Sequence, residues 1–309
     1  MTGDDSNGLE VIRAYVEGQA RLGYGQFDPG PEPEDIILAT FPKSGSTWTS
    51  YLLHQLKSGG DDDFDDIKHV VVDITPGHWD PAQQPFAAPQ AYSPRTYKTH
   101  GSYRLCPKGA RYLYVSRDPV DIFWSLYQFI HDLLGIAEPV AMDAFYRDFF
   151  VRRFDTGHDI GNVWDHILDW HRLVGQENML WLHYEDLVGD REHYLPLIAR
   201  HMGIDIDGTA LRRVIANSSM EHMRTISRQL NPSPDNYVGR IVAEFGDLTA
   251  GYAKNMAFGK LRKGVAGDGA GSVPAEIRAE MAKEWRERIT PVLGFEDYRA
   301  LRSAAAARP

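Results

Sequence analysis

Asp35-Ile-Ile-Leu-Ala-Thr-Phe-Pro-Lys-Ser-Gly-Ser-Thr-Trp48 joins a short apolar run to a small, polar loop. The apolar run is rich in β-forming residues and ends at Pro42, as expected for a buried strand of a parallel sheet. A helix is predicted from Trp48 to Lys57, directly after the polar loop. The order strand, glycine-containing loop, helix is typical of an α/β protein.

The same alternation continues along the chain. Further strands are predicted at residues 95–100, 111–117 and 178–184, and helices at 9–21, 141–154, 162–174, 194–202 and within 274–302. Asp118 and Pro119 are predicted as the N-cap and first residue of another helix. The pattern predicts a single α/β domain with a central parallel sheet flanked by helices. We expect an N-terminal extension with a short helix and a loop, the domain itself, and a C-terminal tail at residues 1–34, 35–302 and 303–309.

Composition narrows the classes of function. The 309 residues include 33 basic and 43 acidic ones, giving a net charge of −10, and 43% are hydrophobic. That apolar share supports a sizeable core and excludes a disordered chain or a coiled-coil rod. The net acidity argues against an extended surface for nucleic acid or an anionic membrane, but it permits one local basic pocket.

Cysteine content and hydropathy indicate the compartment. A single cysteine, Cys106, excludes a disulfide within the chain. The N-terminus lacks the basic start and apolar run of a signal peptide, and no apolar run approaches the length of a membrane span. We therefore expect a cytoplasmic protein without an integral membrane segment.

The loop from Lys43 to Thr47 has the features of an anion site. Its backbone N–H groups, the positive potential of the helix N-terminus, the lysine and the hydroxyl groups are all donors. It is not the P-loop of nucleotide triphosphatases, because the lysine precedes the only glycine. The loop predicts a phosphate site, with an ordinary strand-to-helix turn as the alternative.

Two further strand ends carry candidate residues. Arg117 ends a strand just before a helix, where open α/β sheets bind ligands, and Ser125 lies about two turns into that helix. An arginine fork suits a terminal phosphate, whereas a surface arginine beside a helix serine is the alternative. Lys98 and His100 share one face of another strand end, which makes His100 a candidate general base among 12 histidines.

The remaining motifs are weaker or absent. Arg262-Lys263-Gly264 can clamp an anion, although a solvated basic turn explains it equally well on its own. The acidic run at residues 61–66 lacks the spacing of an EF-hand loop and is predicted as a surface loop. No zinc helix or nucleophile elbow is found, and no dinucleotide-binding motif follows the first strand, so no metal site is predicted.

Taken together and in this order, the motifs resemble those of the cytosolic-type sulfotransferases. These enzymes transfer a sulfuryl group from 3′-phosphoadenosine 5′-phosphosulfate to a hydroxyl or amine. Five stretches carry the resemblance: the loop at residues 41–48, the strand end at 98–100, the 3′-phosphate segment at 114–127, Tyr-Glu-Asp-Leu at 184–187, and the late clamp beginning at 262. The match spans about residues 35–300 and implies the P-loop-kinase-like sulfotransferase fold.

The resemblance implies a role for each matched residue. Those that bind the co-substrate are Lys43, Ser44, Gly45, Ser46 and Thr47 at its 5′ end, Trp48, Tyr184, Ser218 and Met220 around adenine, and Arg117, Ser125, Arg262, Lys263 and Gly264 around the 3′-phosphate. His100 takes the proton of the acceptor, while Lys43 and Lys98 stabilise charge on the bridging and sulfuryl oxygens. The reaction is an in-line displacement that leaves adenosine 3′,5′-bisphosphate and requires no metal.

Two departures from the family pattern bear on the clamp and on assembly. Gly269-Ala-Gly271 stands where the family often has Trp-Lys-Asn, which predicts a looser tail of the clamp. The C-terminal dimer motif of the family is not found, so the oligomeric state stays open. The aromatic candidates for the acceptor pocket, each of which could equally be ordinary packing, are Trp79, Phe86, Tyr92, Phe129, Phe145, Tyr237 and Phe245.

Three functions are consistent with this sequence. The first is sulfuryl transfer to a small-molecule hydroxyl, with lipid, sterol, phenol, sugar and secondary-metabolite acceptors all open. The second is a nucleotide-dependent phosphotransferase, which the missing Walker pattern disfavours. The third is a non-catalytic protein that binds adenosine bisphosphate, which the presence of Lys43, Lys98 and His100 disfavours.

Overall fold

Five parallel strands form one sheet at the centre of the protein. The computed structural model describes residues 5–21, 29–75, 89–155, 160–230, 264 and 266–306. The strands are β1 (Ile36–Thr40), β2 (Val72–Asp73), β3 (Thr96–Thr99), β4 (Arg111–Ser116) and β5 (Met179–His183). Their order is β2-β3-β1-β4-β5, and every neighbouring pair is parallel. The predicted α/β fold with a central parallel sheet is confirmed.

Helices connect the strands and cover the sheet. They are α1 (Asp5–Arg21), α2 (Ser46–Ser58), α3 (Ile67–Val70), α4 (Pro119–Leu134), α5 (Met142–Ala144), α6 (Val163–His171), α7 (Tyr184–Gly189), α8 (Arg191–Met202), α9 (Gly208–Asn217), α10 (Met220–Thr225), α11 (Ser227–Leu230), α12 (Ala275–Arg288), α13 (Thr290–Leu293) and α14 (Tyr298–Ala306). A π-helix, Phe145–Val151, continues α5, and short 3-10 helices span Tyr103–Leu105 and Arg153–Asp155.

The central strand shows why its sequence is continuously apolar. β1 lies between β3 and β4, and Ile37 is level with Tyr97 on one neighbour and Tyr112 on the other. All five residues of β1 are buried. Because both faces of a parallel sheet are covered by helices, the strand has no solvent-facing side for polar residues.

Alternate residues of β1 enter different cores. Ile36 and Leu38 pack with Leu52 of α2 in one cluster, whereas Ile37 and Ala39 pack with Trp170 of α6 in another. The period of two residues along a strand produces this division. The sheet is therefore held from both sides, and its strand ends keep fixed relative positions.

The predicted strands and the N-cap agree closely with the structure. Each of the four predicted strands is present within one residue of its predicted ends. Asp118 caps α4 by accepting a hydrogen bond from the Val120 N–H at 2.8 Å, with Pro119 at the first position of the helix. The two-residue strand β2 was not predicted, because so short a segment carries no measurable alternation.

Several helix predictions need correction. Residues 141–154 are helical but divide into α5, the π-helix and a 3-10 turn. The helix predicted from residue 194 begins at 191, where Asp190 accepts a hydrogen bond from the His193 N–H. The segment 274–302 holds three helices, and the last one runs to Ala306.

The N-terminal helix belongs to the main core. Ile12 and Val16 of α1 are fully or almost fully buried in one cluster with Ile122 and Phe123 of α4. The predicted boundary at residue 35 therefore marks a change in sequence pattern, whereas α1 before it and α4 after it pack in the same core. The three-part division of the chain stays a prediction.

Candidate functional site

The candidate residues converge at the carboxyl-terminal edge of the sheet. The anion loop follows β1, His100 follows β3, Arg117 follows β4 and Tyr184 follows β5. Parallel strands end on the same edge, and these four are neighbours in the sheet order β3-β1-β4-β5. The topology therefore places all four predicted motifs around one crevice.

Two residues of the anion loop have left-handed backbone conformations. The φ angles are 71° at Lys43 and 91° at Gly45, which is the N-cap of α2. A non-glycine residue in this region carries backbone strain that its surroundings must hold in place. The loop thus changes direction at Lys43 and Gly45, directly before the N-terminus of α2.

Ser44 supplies an unused donor inside this loop. Its side chain is fully buried, and its Oγ has no hydrogen-bond partner among the residues that the structure describes. A buried hydroxyl without a partner is costly in a folded protein. The loop residues therefore fit an anion, which would accept the hydrogen bond of this hydroxyl at the positive end of α2.

An aromatic pair closes one side of the loop. The rings of Trp48 and Tyr184 meet edge to face with their centroids 5.6 Å apart. Trp48 Nε1 donates to the Ser218 backbone oxygen at 3.0 Å, which brings three of the predicted adenine residues together. A Cβ atom on Gly45 would lie 2.5 Å from the Tyr184 ring, so the ring rests directly on the loop backbone.

Arg117 lies between the anion loop and Tyr184. Its Nη1 donates to the Lys43 backbone oxygen at 3.1 Å, and its guanidinium carbon is 4.6 Å from the centre of the Tyr184 ring. Its Nη2 pairs with Asp121 of α4 at 3.2 Å. Ser125 is half-buried one turn further along α4. The guanidinium is therefore held from the loop, from the aromatic ring and from α4.

The geometry of His100 defines its tautomer. The ring is buried, and Nδ1 lies 2.8 Å from the Thr40 backbone oxygen. A carbonyl oxygen can only accept, so Nδ1 carries the proton and the neutral ring has its lone pair on Nε2. The His100 backbone N–H donates to Thr75 Oγ1 at 3.1 Å, which fixes the residue from the neighbouring loop as well.

Lys98 is buried beside a carboxylate of the edge strand. Its Nζ lies 2.9 Å from Asp73 Oδ2 and 3.3 Å from Thr75 Oγ1. Burial lowers the pKa of Lys98, while the charge of Asp73 and the hydrogen bond to it act in the opposite direction. Asp73 therefore helps to keep an ammonium group charged at a place that water barely reaches.

Lys43 contacts one of the aromatic acceptor candidates. Its Nζ is 3.8 Å from the centre of the Phe129 ring on α4, a cation–π contact.

The other aromatic acceptor candidates have different surroundings. Phe145 is fully buried within the core cluster that contains α4, which is ordinary packing. Tyr92 is half-buried, and its hydroxyl donates to Asp61. Four candidates lie outside the described residues: Trp79, Phe86, Tyr237 and Phe245.

The late clamp is described only in part. Arg262 and Lys263 lie outside the described residues. Gly264 lies against Met220, because a Cβ atom built on this glycine would be 2.5 Å from the Met220 Sδ. The structure thus brings two predicted co-substrate residues from distant parts of the chain into contact.

A comparison with known protein families identifies the architecture. The family model of the sulfotransferase domain matches residues 33–238, which is two thirds of the chain. The chain belongs to the sulfotransferase family. The resemblance inferred from the ordered motifs is thereby confirmed.

Curated relatives of this sulfotransferase family member are distant in sequence. Human sulfotransferase 1C2 is 26% identical over 204 residues, covering 62% of this chain and 67% of the relative. Human sulfotransferase 2B1 is 29% identical over 196 residues, covering 62% of this chain and 52% of the relative. Dog sulfotransferase 1B1 is 28% identical over 249 residues and covers 76% and 77% of the two chains. The alignment thus reaches only about half the length of one of these relatives.

Solved structures match the fold over most of the chain. Mouse sulfotransferase SULT7A1 complexed with PAP has a TM-score of 0.62 at 20% identity, covering 92% of this chain and 91% of that one. Retinol dehydratase in a complex with retinol and PAP has a TM-score of 0.63 at 19% identity, covering 89% and 85%. At this identity the match establishes the shared sulfotransferase fold.

Sequence reasoning missed several residues that hold the predicted ones. Thr40 and Thr75 fix His100, and Asp73 pairs with Lys98. His166 of α6 donates from Nε2 to the backbone oxygens of His100 and Gly101 at 3.2 Å each. None of these residues belongs to a local motif, because the partners are far apart in sequence. Asp121 differs, since it lies four residues after Arg117, and this spacing could have predicted their ion pair.

Two features are absent from the residues that the structure describes. Within them, no group of three or more histidine, cysteine, aspartate or glutamate side chains is arranged to hold a metal ion. Within the same ranges, no helix has the length and apolar character to cross a bilayer.

Proposed function

We propose that the protein transfers a sulfuryl group from 3′-phosphoadenosine 5′-phosphosulfate to a hydroxyl or amine of a small-molecule acceptor. Membership of the sulfotransferase family supports the reaction, and two structural neighbours were solved in complex with PAP. A cytoplasmic location, like the lack of a nucleic-acid partner, is a prediction from composition. A histidine base is suited to taking the proton of such an acceptor.

The observation that carries the proposal is the fixed tautomer of His100. Its Nδ1–H donates to the Thr40 carbonyl at 2.8 Å, and Thr40 is the last residue of the strand that leads into the anion loop. In the neutral ring the lone pair is then on Nε2, which supports a role for His100 as the general base. Proton removal by such a base contributes roughly 10²- to 10⁴-fold to a rate.

The two lysines supply positive charge at this edge. Lys43 follows the same strand as Thr40, and Lys98 lies two residues before His100 on the neighbouring strand. Sulfuryl transfer places charge on the peripheral and bridging oxygens, so cations fixed beforehand stabilise the transition state. The buried pair of Lys98 with Asp73 keeps one of these cations in place without solvent.

The remaining residues bind and orient the nucleotide. The buried Ser44 hydroxyl and the N-terminus of α2 suit its 5′ end, and the pair of Trp48 and Tyr184 suits the flat adenine. Arg117 suits the 3′-phosphate through its planar fork. The co-substrate brings the activated sulfuryl group; the protein provides positioning, charge and the base.

Transfer from 35S-labelled co-substrate to a panel of phenols, sterols, sugars and aliphatic alcohols tests the proposal, with products identified by mass. His100→Gln is expected to lose at least about a hundredfold in kcat while adenosine 3′,5′-bisphosphate still binds. Transfer that persists undiminished in this variant would contradict the assignment of the base.

Ligand preference separates this proposal from its rivals. Stabilisation by ATP with magnesium, and none by adenosine 3′,5′-bisphosphate, would point to a phosphotransferase. Tight binding of the bisphosphate with no transfer to any acceptor would point to a binding protein without catalysis.

A further inference from the structure

One buried carboxylate joins two predicted co-substrate motifs that are more than 140 residues apart in the chain. Asp121 is 3% exposed and pairs with Arg117 Nη2 at 3.2 Å. It also accepts hydrogen bonds from the backbone N–H groups of Gly267 at 2.7 Å and Gly269 at 2.8 Å. We propose that Asp121 is a positioning residue that ties Arg117 to residues 267–269 and so orients the guanidinium for the 3′-phosphate. This inference rests on the proposed function.

The carboxylate determines where the Arg117 fork points. Arginine has many rotamers, and holding one of them costs conformational entropy unless several partners share the task. Here Asp121 binds one Nη, the Lys43 carbonyl binds the other, and the Tyr184 ring covers the face. The guanidinium is therefore oriented before a nucleotide arrives, which lowers the entropic cost of binding.

The same carboxylate anchors the late segment on α4. Both Asp121 oxygens are used, since Gly267 donates to Oδ2 and Gly269 to Oδ1. A Cβ atom on Gly269 would lie 2.7 Å from the Val120 backbone oxygen, so only glycine permits this approach. Of the three residues for which a looser tail is expected, Gly269 is docked onto the helix, and the looseness of the tail stays a prediction.

A second contact strengthens the docking. Trp124, one turn after Val120, donates from Nε1 to Asp268 Oδ2 at 3.1 Å. The chain is thus attached to α4 at three consecutive residues, beginning five residues after Arg262 in the sequence. Residues 267–269 are therefore held against the helix that follows Arg117.

The charge balance explains why an acid belongs beside a phosphate-binding arginine. A buried guanidinium without an anion is strongly disfavoured, so Asp121 compensates Arg117 while no nucleotide is bound. Asparagine at this position would keep the shape but lose the charge. Its amide nitrogen would also face an N–H donor or the guanidinium, so at least one of the three contacts would be lost.

The test compares two nucleotides that differ only in the 3′-phosphate. Calorimetric Kd values of adenosine 3′,5′-bisphosphate and adenosine 5′-monophosphate are measured for the wild type, Asp121→Asn and the control Asp132→Asn. Asp132 lies on the same helix and is exposed. We expect Asp121→Asn to reduce the preference for the bisphosphate at least about tenfold, whereas the control keeps the wild-type preference.

A milder variant covers the case in which Asp121→Asn does not fold. Trp124→Phe keeps the ring and removes the donor to Asp268, so we expect a smaller loss of the same preference. Hydrogen exchange at the Gly267 and Gly269 amides should quicken in Asp121→Asn, a readout that is independent of transfer activity.

The possible results distinguish a failure of the role assigned to Asp121 from a failure of the proposed function. A wild type that prefers the bisphosphate, together with variants that keep this preference in full, would overturn the role of Asp121 alone. A wild type that does not distinguish the two nucleotides would overturn the proposed function and, with it, this inference. A loss of preference confined to Asp121→Asn and Trp124→Phe supports it.

Discussion

Single backbone conformations decide whether the anion loop can form. Lys43 and Gly45 both have positive φ angles, and the second of them lies directly beneath the Tyr184 ring. A side chain at Gly45 would therefore meet two obstacles, the left-handed backbone and the ring. The predicted anion loop therefore requires glycine, which has no Cβ atom, at position 45.

Gly45→Ala is expected to lose co-substrate binding as well as stability, because its Cβ would lie 2.5 Å from the Tyr184 ring. Gly59→Ala is the matched control, since Gly59 also caps an end of α2 at a φ of 69° but has nothing within 4 Å of the added atom. Both variants bear the backbone cost of about 1 kcal/mol. Thermal unfolding with and without adenosine 3′,5′-bisphosphate measures both effects.

Equal behaviour of the two alanine variants, in stability and in binding, would contradict the contact between Gly45 and Tyr184. A greater loss in Gly45→Ala that is confined to stability would instead separate the packing of the loop from its role in binding.

At the scale of elements, the short edge strand β2 and the loop after it contact two candidate catalytic residues. Its last residue, Asp73, pairs with Lys98, and the loop that follows carries Thr75, which fixes both Lys98 and His100. Asp73 also accepts from the Thr75 N–H at 2.9 Å, so the strand end and the loop form one unit. The end of β2 and the loop after it thereby hold Lys98 on β3 and His100 directly after that strand.

Asp73→Asn is expected to lower kcat by at least about tenfold near neutral pH while the KM for the co-substrate changes less. Burial already lowers the pKa of Lys98, and Asp73 opposes that shift. Without the carboxylate the pKa falls further, so Lys98 loses its proton at lower pH and the alkaline limb of the kcat–pH profile moves to lower pH. Steady-state kinetics across pH measure this shift.

Asp63→Asn provides the control, because Asp63 is an exposed acid of the same region. An Asp73→Asn enzyme with an unchanged kcat–pH profile and a lower melting temperature would assign the pair to stability alone. In that case Lys98 would be a structural residue of the sheet edge.

At the scale of the whole molecule, the charge of −10 and the predicted binding of a polyanionic nucleotide are compatible. The acidity is spread over the chain, whereas Lys43, Lys98 and Arg117 gather at one edge of the sheet. Charges at the surface are screened within about 10 Å in ordinary buffers, so distant surface acids act only weakly on an anion at this edge.

Buried histidines are expected to make the protein sensitive to acid. Burial lowers the pKa to about 4 for His54, His166, His183 and His201. Between pH 6.5 and 4 the unfolded chain therefore binds these protons and the folded protein does not. Stability is lost as the pH falls through this window, by up to about 1.4 kcal/mol per pH unit for each histidine.

Urea unfolding at a series of pH values measures this slope, and His166→Gln isolates one contribution. His166 Nε2 donates to the His100 carbonyl, so glutamine is the closest replacement that keeps a donor without titrating. The variant is expected to be less stable at pH 7 and to lose stability less steeply between pH 6.5 and 4. Parallel curves for the two proteins would show that His166 does not titrate as burial implies.

The amino-acid sequence was enough to predict the α/β class, the four longer strands, the cap of α4 and the family. These features depend on contacts within a few residues or on ordered motifs, such as the apolar run of β1 and Asp118 before Pro119. It also selected Lys43, His100 and Arg117, because each lies at or just after the end of a predicted strand, and it selected Tyr184 through the resemblance to the family.

The contacts that hold these residues became visible in the three-dimensional fold. Asp73 meets Lys98 across 25 positions, Thr40 meets His100 across 60, and Asp121 meets Gly269 across 148. No local pattern encodes such pairs, since they arise when the sheet orders its strands and the chain returns to α4. The tautomer of His100 and the docking of the late segment follow from those long-range contacts, because a hydrogen bond requires two atoms to meet in space.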